Sequence, residues 1–297
     1  VTLDAPKIAA TEAARVLIDL LALDRLISVV DIGASRIGDP PPYRPLLASG
    51  IARLTGFEPQ AEELAKLCAA GQPNETYLPY AVGDGAEHTL HVCAASGMTS
   101  LLRPDPETLA LFHEFPRWGQ VVETRRIATR RLDEIEEVDR IDYLKIDVQG
   151  SELPIFENGR DKLRPTMAIH TEVSFVPLYL EQPPFGEIDR ALRSWGFIPH
   201  AYASLNRRAI FPVIIDNDPY RGLNQLLEAD IVYVRDFRRP ERLDDEQLKF
   251  LAAIAYCCYG SYDLAIHALL LLAKRDAVAG NGVEAFVAAI RKAAAAP

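Results

Sequence analysis

The chain has 297 residues, 49% of them hydrophobic and 25% charged: enough apolar material for one sizeable α/β domain with an addition or for two modest domains, and too much for a disordered or fibrous protein. The 42 acidic and 32 basic residues give a formal net charge of −10, and no lysine or arginine cluster stands out along the chain, so nucleic acid is not an expected partner. Cys68, Cys93, Cys257 and Cys258 form no CxxC and no matched Cys/His spacing, which indicates neither a zinc cage nor a disulfide framework and suits a reducing cytoplasm. The first residues lack the layout of a signal peptide, and the apolar run from Ala265 to Ala273 is too short for a bilayer; a cytoplasmic protein with no membrane span is expected.

In chain order, Ala14, Leu17, Ile18, Leu21 and Ala22 recur at helical spacing behind Thr11 as N-cap and predict a leading helix over 11–26. Residues 27–32 read as a buried parallel strand that runs into a turn at Gly33. Pro40, Pro41, Pro42 and Pro45 then delay regular structure until a short helical stretch at 46–49. A strand over 53–58 and a helix over 60–70 follow. Two extended segments, 77–82 and 89–94, flank a turn at Gly83-Asp84-Gly85. Further along come a helix at 132–137, strands at 141–148 and 167–173, a helix at 184–195, an extended segment at 197–202 and a last strand at 230–234. Beyond Pro240 the composition turns to Ala- and Leu-rich helices at 243–258, 261–275 and 283–296. The division expected is a lead-in (1–26), an α/β domain (27–239) and a small C-terminal helical appendage (240–297).

Several residues carry chemistry. Gly33, after Asp31 and Ile32, lets backbone approach a ligand closely, with Ala34 and Ser35 leading into the next segment; the dinucleotide pattern GxGxxG is absent because Ser35 stands where its second glycine belongs. Glu58, at the end of the second strand and followed by Pro59, is suited to accept both hydroxyls of a ribose. In Ile141–Glu152, the charged groups of Lys145, Asp147 and Glu152 interrupt or flank an otherwise buried strand, and burying them requires compensation. Asp147, His170 and Glu172 fall at the carboxyl ends of adjacent predicted strands, where open α/β sheets place ligands; the alternation of His170 with Ile169 and Thr171 is equally that of a core residue.

The stretch from Lys145 to Glu152 resembles the signature of the FkbM family of methyltransferases, a lysine-x-aspartate strand leading into an acidic or amide residue, glycine and glutamate. Gly56-Phe57-Glu58-Pro59-Gln60, Ala81-Val82-Gly83, Thr99-Ser100-Leu101 and Glu172 extend the likeness over roughly residues 28–236, with Gln149 in place of the commoner glutamate. The resemblance implies a Rossmann-like class I methyltransferase fold, a mostly parallel seven-stranded sheet with helices on both faces. It also implies S-adenosylmethionine as cofactor, with Gly33 and its neighbours under the methionine part, Glu58 on the ribose, Val82, Gly83 and Asp84 near the adenine and Asp147 close to the methyl group.

Methyl transfer is an in-line displacement, so the protein has mainly to align the acceptor and exclude water. A hydroxyl acceptor needs a base, or a metal that lowers its pKa. Asp147, His170 and Glu172 are the candidate bases, and Asp147 and Glu172 the candidate ligands of a Mg2+ ion. The expected activity is O-methylation of a small-molecule or glycan acceptor: a sugar, glycan or secondary metabolite. Two alternatives stand beside it: a non-catalytic donor-binding or docking module of the same fold, and an NAD-dependent sugar oxidoreductase, which the missing glycine pattern and YxxxK pair disfavour. The apolar tail makes a homodimer a reasonable expectation.

Overall fold

The computed structural model describes residues 12–34 and 40–294; the expected N-cap Thr11 and the candidate Ser35 lie outside the described residues. In chain order the elements are α1 (Glu12–Leu21), β1 (Ile27–Ile32), α2 (Arg44–Ala48), β2 (Ala52–Phe57), α3 (Ala61–Ala70), β3 (Glu75–Leu78), β4 (Ala81–Gly83) and β5 (Glu87–Cys93). The one-turn helices α4 (Pro106–Leu109) and α5 (Phe115–Trp118) precede β6 (Val121–Arg131), β7 (Tyr143–Ile146), α6 (Glu152–Glu157), β8 (Ala168–Ser174) and α7 (Phe185–Ser194). The chain continues with β9 (Phe197–Arg207), β10 (Leu226–Arg235), α8 (Asp245–Tyr259), α9 (Tyr262–Lys274) and α10 (Gly280–Ala294).

Seven strands form one sheet in the order β3-β2-β1-β7-β8-β10-β9, parallel except for β10, which runs against both of its neighbours. This is the mostly parallel, doubly covered sheet of a class I methyltransferase. Buried strands of this kind need apolar residues on both faces, and β1 is buried throughout.

Alternation along the strands sorts the two faces. Val30, Ile32, Leu144, Ile146, Ile169, Ile231 and Tyr233 pack against Ile155, Phe156, Ile188 and Leu192 of α6 and α7. On the other face Ile27, Val29, Tyr143, Ala168, Val232 and Val234 join the apolar residues of α1, α2, α8, α9 and α10 in one core. Helix α8 starts at a capping box, where Asp244 accepts from the Gln247 backbone N–H (2.7 Å) and Gln247 accepts from that of Asp244 (3.0 Å); it ends at Gly260, whose left-handed φ of 62° lets the chain turn into α9. Arg25 ties it to the sheet, holding buried Asp142 through two N–H groups (2.6 and 2.9 Å) and Glu246 of α8 through two more (3.0 and 2.8 Å).

Three expectations are corrected. Segment 77–82 is split at Pro79, its first part on the edge of the main sheet and its second in a separate small sheet. The segments either side of Gly83–Gly85 do not pair with each other, because β6 lies between them in the order β4-β6-β5. The stretch after residue 131 forms a single 3-10 turn, Leu132–Glu134, in place of a helix. Among the described residues no helix is long and apolar enough to cross a membrane.

Candidate active site

At the carboxyl ends of β1, β2 and β7 the backbones converge on Gly33. Its N–H donates to the Phe57 carbonyl (3.2 Å), as does that of Ala34 (3.0 Å), while the Asp147 N–H donates to the Ile32 carbonyl (3.0 Å). Gly33 has φ +82°, and a Cβ there would stand 2.0 Å from the Asp147 carbonyl oxygen. Only glycine fits both the dihedral and the approach.

Beside this junction opens a cleft of about 660 Å³, a size that suits a cofactor and a small acceptor. One wall is formed by Gly33, Pro41, Glu58, Pro59, Tyr80 and Val82. Glu58 is buried, and its Oε1 accepts from the Gln60 N–H at 2.7 Å. Burial raises its carboxyl above the ordinary value, and the Gln60 N–H opposes this. A second wall holds Lys145, Asp147, His170, Ser204 and Asp230.

That second wall follows from strand parity. On the face that carries the C-terminal helices, the amino halves of β1, β7 and β8 present Ile27, Val29, Tyr143 and Ala168, and the carboxyl halves present Asp31, Lys145, His170 and Glu172. Antiparallel β10 sets Asp230 opposite Glu172, and Glu228 opposite Ser174. The face is thus apolar where the helices cover it and polar where the cleft opens.

The polar groups answer one another. Lys145 Nζ lies 3.5 Å from Asp31 Oδ1; burial would lower its pKa, but the Asp31, Asp147 and Asp230 carboxylates outweigh burial and raise it. Asp31 also accepts from the Tyr43 hydroxyl (2.5 Å). His170 Nδ1 meets the Tyr259 hydroxyl at 3.1 Å, and Nε2 lies 3.6 Å from Asp230 Oδ1. Ser204 Oγ donates to Asp230 Oδ2 (2.6 Å). Burial would push the Asp230 carboxyl up, yet the adjacent His170 ring, the Ser204 hydroxyl and the Lys145 charge together hold it below its ordinary value.

Gln149 sits in a left-handed conformation (φ 57°), followed by Gly150 at 105°. Its amide nitrogen donates to Asp147 Oδ1 (2.9 Å), and its amide oxygen accepts from the Tyr179 hydroxyl (3.1 Å). An amide at 149 therefore supports the Asp147 carboxylate where a second carboxylate would repel it. Glu152 is compensated by the backbone, its Oε1 accepting from Val148 N (3.1 Å) and Gly150 N (3.2 Å).

Of the residues singled out from the sequence, Gly33, Glu58, Pro59, Val82, Asp147 and His170 meet around the cleft. Asp31 is buried behind the wall as the partner of Lys145 and Tyr43, one step from the ligand space. Gly83 and Asp84 lie beyond Val82. Gly83 packs against Thr129, and Asp84 binds His88 Nε2 (2.8 Å), whose hydrogen bond lowers the Asp84 carboxyl. Glu172 sits beside Glu228, Asp147 and Asp230; burial first, then these charges, raise its pKa well above the ordinary value. Among the described residues no group of three or more His, Cys, Asp or Glu is arranged to hold a metal ion. Sequence reading missed Ser204, Asp230 and Tyr259. Asp230 is a signal only once β10 is known to run antiparallel and to set it opposite Glu172.

The methyltransferase FkbM domain profile matches residues 31–199, more than half of the chain. The chain belongs to this family. It is an S-adenosylmethionine-dependent methyltransferase, and the nicotinamide alternative falls away. No curated protein matches this FkbM methyltransferase. Among solved structures it is similar to magnesium protoporphyrin IX methyltransferase from Synechocystis PCC 6803 with bound S-adenosylmethionine, at 11% identity over 78% of this chain and 79% of that one, with a TM-score of 0.35. It is similar too to a putative methyltransferase from Thermoplasma acidophilum (9% identity, 72% and 70% covered, TM-score 0.35). A third is precorrin-6y C5,15-methyltransferase from Geobacter metallireducens GS-15 (11% identity, 74% and 86% covered, TM-score 0.35).

Proposed function

We propose that this FkbM methyltransferase methylates a hydroxyl group of a sugar, glycan or secondary metabolite, with the Asp230–His170 pair as proton acceptor. The observation that carries this reading is the side-by-side placement of Asp230 and His170, 3.6 Å apart, opening onto the same cleft as Glu58. Glu58 is the residue to hold the ribose hydroxyls of the cofactor, and Gly33 gives the backbone clearance beneath it. When bound, S-adenosylmethionine supplies a sulfonium methyl group to the cleft.

An attacking hydroxyl becomes strongly acidic only as its oxygen gains the new bond, so a base of modest strength already in place is sufficient. The Asp230 side chain, 34% exposed against 8% for His170, is the member able to receive the hydroxyl's hydrogen bond. His170, with Tyr259 on Nδ1, and Ser204 hold that carboxylate in one orientation. Asp147, clamped by Gln149, supplies fixed negative charge on the same wall. Lys145 neutralises Asp31 and keeps the wall from accumulating unpaired carboxylates.

The test is transfer of labelled methyl from S-adenosylmethionine to a panel of sugars and polyols, with and without EDTA. Turnover insensitive to EDTA is expected, with kcat about 100-fold lower in Asp230→Asn and cofactor affinity unchanged. Dependence on added Mg2+, or full kcat in Asp230→Asn, would sink the proposed base.

A further inference from the structure

A second cavity, of about 690 Å³, lies at the opposite end of the strands from the cleft, where β8 and β9 begin and β10 ends. Its charged lining is Arg160, Arg164, Arg193, Arg235 and Arg242 against Asp161 and Asp236. Arg164 is ion-paired with Asp161 (2.9 Å), Arg193 with Asp189 outside the lining (2.7 Å) and Asp236 with Arg238 (2.7 Å); Arg160, Arg235 and Arg242 are left as an excess of three positive charges, on a chain whose formal net charge is −10. The arginines come from distant stretches and form no run, so the sequence does not reveal the cluster.

Arg235 is the built part. Its guanidinium donates to four backbone carbonyls, those of Thr166 (2.7 Å), Trp195 (2.6 Å), Arg164 (2.6 Å) and Leu163, and lies 3.9 Å from the centroid of the Phe197 ring. Among the described residues no carboxylate reaches ion-pair distance of Arg235, Arg160 or Arg242. Carbonyl dipoles satisfy the N–H groups of Arg235 but leave its unit charge uncancelled, and burial lowers its pKa to about 10, still protonated at neutral pH. Arg160 rests on the Trp195 ring at 5.2 Å, which limits the freedom of its side chain. An excess of three charges in a concave site is not cancelled by a monocarboxylate; it matches a di- or trianion, and arginine forks fit phosphate oxygens in pairs.

We propose that this cavity is a second binding site, separate from the methyl-transfer cleft, for a small ligand bearing a phosphate or diphosphate group. A concave volume within the range of small-molecule sites favours such a ligand over the flat surface of an acidic macromolecule.

Calorimetric titration of the intact protein with inorganic phosphate and with inorganic pyrophosphate, at constant ionic strength in chloride, tests this directly. The chain has two tryptophans, so Trp118→Phe leaves Trp195 as the fluorescent reporter of the cavity. Saturable one-to-one binding of pyrophosphate with a change in Trp195 emission is expected. It should weaken at least tenfold in Arg160→Gln/Arg242→Gln, a double variant that still binds S-adenosylmethionine as the wild type does. Absence of saturable binding by either anion, or equal pyrophosphate affinity in the double variant, would overturn the assignment.

Discussion

Glu152 shows how one side chain couples the family motif to stability. Its carboxyl is 3% exposed and is pushed up to about 7, because burial outweighs the hydrogen bonds from the Val148 and Gly150 N–H groups. The unfolded chain releases this proton near 4.5, and the folded chain keeps it until about 7. Between those values the folded state binds more protons, so this residue's contribution to stability falls as pH rises. Glu152→Gln keeps an oxygen for both N–H groups and removes the titration. In urea denaturation the variant should gain on the wild type by up to about 1.4 kcal/mol for each pH unit between 5 and 7. A difference that stays flat with pH would show that Glu152 is ionised throughout. At the same scale the sequence reading identified the burdened charges Lys145, Asp147 and Glu152. Their compensation by Asp31, Gln149 and backbone N–H groups is tertiary and could not be read from spacing.

Among the elements, β1, β2, β7 and β8 fall close to their expected ranges: β1 is buried throughout, and in β2, β7 and β8 apolar residues recur at alternate positions on at least one face. Strand β6 was not found, since Val121–Arg131 is exposed along almost its whole length and has no apolar alternation to betray it. Its insertion between β4 and β5 is what undoes the hairpin reading around Gly83–Gly85. The direction of β10 was equally hidden, and with it Asp230, because an isolated strand pattern carries no sense of which end meets the cleft. The β1–β7 junction, by contrast, depends on a glycine visible from the start. Gly33→Ala combines an unfavourable φ of +82° with a Cβ at 2.0 Å from a backbone oxygen, so a loss of at least about 2 kcal/mol is expected in thermal or urea unfolding. A fully stable alanine variant would mean that the two strand ends are free to separate.

In the whole molecule, the C-terminal helices complete the core instead of decorating it. Leu248, Leu251, Ile254, Leu264, Leu269 and Phe286 share one cluster with Ile27, Val29, Tyr143 and Val232 of the sheet, and α10 packs on α1. Tyr259, the last residue of α8, carries this packing to the site through the His170 ring, stacked at 6.1 Å, and through a hydroxyl contact with Tyr143. Removal of residues 241–297 should therefore abolish cooperative unfolding and expose dye-binding apolar surface; a cooperatively folding 1–240 fragment would refute this. Composition alone marked the tail as helical, and only the fold shows what it covers. The same folding gathers scattered arginines at one end of the strands and scattered acids at the other, leaving the Glu58 side of the cleft for the cofactor. The most direct test of that account is calorimetric titration of the folded protein with S-adenosylmethionine, in wild type and Glu58→Ala. One-to-one binding, weakened at least tenfold by the substitution, is the predicted result. No binding by the wild type, or equal affinity in both proteins, would contradict it.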